Sequence, residues 1–203
     1  MKKLFAIFLS VYLISFSVFA QSTKQVESIK KIEDYLNSIK SMQAEFIQSA
    51  TNNSYAEGML YIQKPNRMNM QYSEDVGISI IGDGKYIIYH DSELDQTTHI
   101  GYKDVPAALI LSNNLKIDDK EISVADFYQD AGFTSVTFEY KKSDNIPPIT
   151  LTFNNSPFEL KQWSTKDPQG IIVTVSLYNI KKDVKLKDDL FKFKNKKLNP
   201  LDD

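Results

Sequence analysis

One long helical stripe, followed by a succession of short alternating segments, most constrains what this chain can fold into. Over residues 26–40, Val26, Ile29, Ile32, Tyr35, Leu36 and Ile39 recur at three-to-four-residue spacing with Lys and Glu between them. That is the period of a helix with a single apolar face, and such a face needs an apolar surface to lie on. From Met42 the period becomes two. Residues 42–48 alternate, Asn52-Asn53 marks a turn, and segments 55–63, 67–72, 77–81, 86–89 and 95–102 follow with short links. Asp83-Gly84, set between two apolar runs, is a hairpin signal. Six consecutive strands with such short links make an antiparallel meander.

The middle breaks this pattern. Residues 105–111 are short and apolar, with Pro106 near a helix start and Asp104 placed as N-cap. Residues 123–131 read as a second short helix, ended by Gly132. Strands resume at 133–141, 149–153, 158–164 and 171–179, with a turn at 166–170 and a last short strand at 189–193. The total of about eleven strands implies a mainly β barrel or strongly curled sheet. The helices are too few to sheathe it from outside and are expected to cover its concave side.

The hairpin over residues 58–72 carries the most suggestive faces. Side chains alternate across a strand, so Gly58, Leu60, Ile62 and Lys64 share one face of the first strand, and Met68, Met70 and Tyr72 share a face of the second. A cation closing an apolar row has two readings: it snorkels to water at the strand end, or it serves a purpose inside. Met42, Met59, Met68 and Met70, with Phe46, Tyr72 and Tyr89, make either an ordinary core or the adaptable wall of an apolar binding cavity.

Composition narrows the function classes. Met1-Lys2-Lys3, the apolar run over 4–19 and Val18-Phe19-Ala20 read as a secretory signal peptide over residues 1–20. A membrane anchor is the alternative for that run. Residues 21–203 are then one exported domain, periplasmic in a Gram-negative cell, with no later stretch of membrane-spanning length. Without Lys2 and Lys3 the 24 basic residues fall by two against 26 acidic ones, and the formal charge moves from −2 to −4. That balance argues against nucleic-acid binding. The absence of Cys excludes a disulfide framework, thiol chemistry and a lipidated Cys. His90 and His99 have no ligand partners at metal spacing, and His90-Asp91 reads as the polar end of a hairpin. No phosphate loop or nucleophile elbow is present. The chain is therefore expected to be no enzyme and to carry neither metal nor cofactor.

The order of these segments resembles a known family. The helix and S-I-K-S-M-Q-A-E-F-I-Q, then E-G-M-L-Y-I-Q-K-P-N-R-M, I-I-G-D-G-K-Y-I-I-Y, V-P-A-A-L-I-L, L-K-Q-W-S-T-K-D-P-Q-G-I-I-V-T-V-S-L and F-K-F are similar to the periplasmic outer-membrane lipoprotein carriers, the LolA family. The resemblance implies an unclosed antiparallel half-barrel of about eleven strands, its hydrophobic cavity covered by a helical lid. It implies a monomeric chaperone that accepts acylated lipoproteins from an inner-membrane lipoprotein-releasing ABC transporter and delivers them to an outer-membrane lipoprotein receptor.

On that reading Phe46, Leu60, Ile62, Met68, Met70, Tyr72 and Ile80 line the sheet side of the cavity, and Leu36, Ile39, Ala108, Leu109 and Leu111 face it from the lid. Trp163 is expected in the wall. The family's basic residue before Pro-Asn, normally Arg, holds the lid closed; here it is Lys64, which lacks Arg's planar fork. Arg67, the only Arg, is expected on the opposite face. Such a carrier answers a physical need. At ~0.8 kcal/mol per methylene, three chains of roughly 15 methylenes each resist leaving a bilayer by tens of kcal/mol. The alternatives are a carrier or sensor of another lipid on the same half-barrel, since a fold does not set its cargo, and a periplasmic hydrolase.

Overall fold

The structure, a computed structural model, describes residues 23–73, 76–117, 120–141, 143, 145–167 and 169–194. The leader over 1–20 lies outside them, as does Pro168 of the 166–170 turn. Helix α1 occupies residues 23–38. Its stripe docks through Ile32, Tyr35 and Leu36, with Ile39 just beyond, all buried, while Val26 is 66% exposed. Ile29 packs half-buried against the same core, so of the predicted stripe Val26 alone stands out in solvent.

The strands are β1 (Ser41–Ala50), β2 (Tyr55–Gln63), β3 (Arg67–Tyr72), β4 (Ile78–Asp83), β5 (Tyr86–Asp91) and β6 (Gln96–Gly101). A short helix α2 (Ala108–Leu111) precedes β7 (Ile122–Gln129), β8 (Phe133–Tyr140), β9 (Ile149–Asn155), β10 (Phe158–Lys166) and β11 (Ile172–Lys182). They form one sheet in the order β6-β5-β4-β3-β2-β1-β11-β10-β9-β8-β7, antiparallel at every pairing. The chain steps outward from β1 to β6, crosses through α2 to the far edge, and steps back to β11 beside β1. The edge strands β6 and β7 do not pair, so the sheet stays unclosed.

Curling follows from which side chains meet. Leu60, Met68 and Ile87 from one half share a single buried cluster with Phe138, Leu151 and Trp163 from the other half, and with Leu36 and Leu109 of the helices. A flat sheet could not bring strands so far apart in its order onto one cluster. The two helices therefore sit in the hollow of a curled sheet.

Three expectations of secondary structure need correction. Residues 123–131 are not a helix but belong to strand β7, which carries a bulge between Val124 and Asp126. The bulge puts Ile122, Val124 and Phe127 on one face, and their uneven spacing imitates a helical period. Residues 189–193 are not a strand: Asp188–Phe191 is a 3-10 turn packed on the outer face of β3 and β4. The strand total is eleven because these two errors cancel. Asp104 does not cap α2; it ends a 3-10 turn over Tyr102–Asp104, and Ala107 precedes α2 without a side-chain cap.

The C-terminal turn builds a second apolar patch. Phe191 is 3% exposed, and Ile81 and Ile88, cross-strand neighbours of Asn69 on the outer face, are buried. Asn69 Nδ2 donates to the Leu190 carbonyl at 2.7 Å, and Arg67 pairs with Asp188 at 2.8 Å while its guanidinium lies 5.2 Å from the Phe191 ring. His90, expected at a polar hairpin end, is instead buried, with its ring 5.2 Å from that of Phe193 and its Nδ1 3.0 Å from Thr97 Oγ1.

Candidate functional site

Cross-strand pairing decides which apolar residues share the concave face. Three rows cross it: Met42–Ile62–Met68, Ala44–Leu60–Met70–Ile80, and Phe46–Gly58–Tyr72. Directly opposed residues point to the same side, so the alternation read over residues 58–72 becomes a continuous apolar wall. Gly58 is required in the third row. A Cβ there would run into the Gln71 carbonyl and the Tyr72 Cα. Without one, the Phe46 and Tyr72 rings meet edge to face with centroids 5.1 Å apart. Tyr72 donates its hydroxyl to Gln48 Oε1 at 2.8 Å, and burial pushes that phenol up to about 12.

The lid fills the hollow with its own side chains. Leu36 and Ile39 from the α1 side, and Leu109 and Leu111 from α2, are each at most 2% exposed and belong to the same buried cluster as Phe46, Leu60, Ile62, Met68 and Met70. Tyr72 and Ile80 pack against that cluster and are half-buried. Ala108 is half-buried and, together with Leu109, lines a hollow of about 640 Å³ with Tyr102, Leu115, Tyr140 and Ile146. Trp163 joins the cluster although its parity differs from Leu160, because a bulge at Lys161 shifts the register of β10. Met59 faces outward, opposite Glu45 and Gln71, and lines an outer groove of about 690 Å³ with Ile47, Glu57 and Tyr178.

Polar groups stitch the lid together and fasten it. Asn37 on α1 donates through Nδ2 to the Leu115 carbonyl at 3.0 Å and accepts from the Leu115 N–H at 2.8 Å, while Glu33 accepts from the Ile117 N–H at 2.9 Å. These contacts tie α1 to the segment after α2, and backbone partners so distant in sequence left no mark to read. The turn at 64–66 touches both parts. Lys64 N–H donates to the Lys40 carbonyl at 2.9 Å, and Asn66 N–H to the Leu111 carbonyl at 3.1 Å.

Lys64 itself points inward. Its Nζ donates to the Leu36 carbonyl of α1 at 2.6 Å, and the residue is 9% exposed. The ion pairs among the described residues do not include it. Burial in apolar surroundings pushes the ammonium down to about 8, from an ordinary value near 10.5. Arg67, by contrast, is committed to Asp188 on the outer face.

No described helix is long and apolar enough to cross a membrane, and no three His, Asp or Glu side chains among the described residues group to hold a metal. A curled, unclosed antiparallel sheet whose apolar concave face is roofed by helices defines a lidded half-barrel. The family model described as outer membrane lipoprotein carrier protein LolA matches residues 37–194, and the chain belongs to that family. An outer-membrane lipoprotein carrier protein of Legionella pneumophila (strain Paris) is 30% identical over 202 residues, covering 96% of this chain and 95% of that protein. An uncharacterized protein of Rickettsia prowazekii is 26% identical over 167 residues, covering 82% of this chain and 76% of that one. Among solved structures, a DUF1329 family protein from Desulfovibrio piger shares the fold with TM-score 0.50 and 10% identity, over 83% of this chain and 96% of that one.

Proposed function

We propose that the protein is a periplasmic, monomeric, non-enzymatic carrier of lipoproteins. It takes the acyl chains of cargo released by an inner-membrane ABC transporter and hands them to an outer-membrane receptor. Family membership supports the carrier role, and one observation makes it physically workable: the concave apolar rows are covered by helices rather than by more sheet. The roof is thus the part that gives way to a ligand.

The energies allow the exchange. Six buried lid residues, Ile32, Leu36, Ile39, Leu109, Ile110 and Leu111, cover the rows. At ~1.5–3 kcal/mol each, their burial contributes on the order of 10 kcal/mol. One acyl chain of roughly 15 methylenes, at ~0.8 kcal/mol each, contributes a similar amount. A chain can therefore replace the lid with little net change, which suits a protein that must both load and release. Phe46, Leu60, Ile62, Met68, Met70, Tyr72 and Ile80 are the proposed chain-facing wall, and Lys64 the fastening of the lid against it.

The test is to export the protein from a Gram-negative host, extract it under non-denaturing conditions and analyse bound species by mass spectrometry. Co-purifying acylated peptide is the expected result. Recovery of a different lipid class alone would assign another cargo to the same interior, and turnover of an ester substrate would overturn the carrier reading.

A further inference from the structure

Lys64 is a cation placed at the end of an apolar row, with one recorded acceptor, the Leu36 carbonyl, and no ion-pair partner among the described residues. The rows beside it offer no replacement. Ile62 and Met68 adjoin it, and the one phenol of the three rows, Tyr72, lies at the far end and already donates to Gln48. A buried ammonium stripped of its acceptor is far more costly than one that exchanges acceptors. The Leu36 carbonyl belongs to α1, so a withdrawal of α1 that admits a ligand removes it.

We propose that Lys64 reads the ligand by acceptor exchange: as α1 withdraws, the ammonium trades the Leu36 carbonyl for the ester or amide carbonyl that joins an acyl chain to its headgroup. This rests on the lipid-carrier reading above and names the chemical class that the interior selects. A hydrocarbon chain fills the apolar rows equally well but leaves the ammonium unsatisfied, and an ether-linked chain offers it only ether oxygens, weaker acceptors than a carbonyl. An acyl-linked chain satisfies both. Lys64 is thus a specificity residue as well as a fastening, and its position sets where the head end of the chain lies: at the 64–66 turn, with the tail crossing the three rows toward Phe46 and Tyr72.

The experiment compares two lipids with equal chains and the same glycerol, dipalmitoylglycerol (diester) and dihexadecylglycerol (diether). Both are titrated against the intact exported protein loaded with an anilinonaphthalene fluorophore. Hydrogen bonds from charged donors predict a preference of about ten-fold or more for the diester. Lys64→Met should remove the preference, and Lys64→Arg, which keeps a charged donor, should retain it; circular dichroism checks that both variants fold. Equal affinity of the wild type for the two lipids overturns the proposal while leaving the carrier reading intact. A preference that survives in folded Lys64→Met also overturns it. Displacement by neither lipid overturns the carrier reading, and the proposal with it.

Discussion

At the scale of single residues, the pair Lys64 and Arg67 shows how three positions in a turn separate two cations. Arg67 is spent outside, on Asp188 and Phe191. Lys64 is spent inside, and its protonation has a definite sign. Its ammonium titrates near 8 in the closed protein against about 10.5 when free in water. Below about 8 the charge is present in both states, and the burial cost is felt in full. Between 8 and 10.5 the closed state sheds its proton while an open or unfolded one keeps it, so rising pH favours closure, by up to about 3 kcal/mol. Binding of an apolar fluorophore should therefore weaken between pH 7.5 and 10 in the wild type and stay flat in Lys64→Met; a wild-type affinity that rises with pH would refute the assignment. Met70, 5% exposed in the middle row, offers a second check. Met70→Glu should abolish uptake of the same fluorophore, and normal uptake would exclude Met70 from the chain-facing wall. Parity put Lys64 on the face of Leu60 and Ile62 but left open whether it turned inward or snorkelled to water. Its partner was not legible, because a helix carbonyl carries no sequence signature.

At the scale of elements, what could be read depended on whether the period survived. The hairpin of β2 and β3 keeps strict alternation, and its rows were legible residue by residue. β7 and β10 each contain a bulge, so Phe127 and Trp163 fall out of phase with their own strands. Ile122, Val124 and Phe127 then mimic a helix, and only the pairing with β8 restores the true assignment. The terminal Leu-Phe-Lys-Phe alternates like a strand but finds no free partner edge there; it lies flat on the outside instead. That outer patch is separate from the interior. Phe191→Ala should cost about 3 kcal/mol, read as a fall in urea midpoint, with fluorophore affinity unchanged. A loss of affinity would mean that the two faces are coupled. The lid's stitching makes the converse case. Asn37→Ala removes both hydrogen bonds to Leu115 and should weaken the closed lid by about 1–2 kcal/mol. Stopped-flow uptake should accelerate accordingly, and an unchanged rate would show that α1 and the 115–117 segment move together, with the bonds between them intact on opening.

At the scale of the whole molecule, order should fall away from the centre of the sheet toward its edges. β1 is paired on both sides and four of its ten residues are buried, whereas five of the six residues of β6 are exposed. Amide exchange, which reports local opening, should be slowest in β1 and β11 and fastest in β6; equal protection would mean that a contact not seen here covers β6. The central pairing has a further consequence. β1 is the first strand made and β11 the last, yet they are neighbours, with Phe46 opposite Leu177. Until β11 emerges, β1 has one partner instead of two, and the face that receives α1 lacks its other half. Closing so long a loop late makes for slow folding. On the proposed export route, a chain of this order crosses the membrane before its most apolar surface is covered, which would make the proposed carrier a substrate for a holding chaperone until β11 is in place.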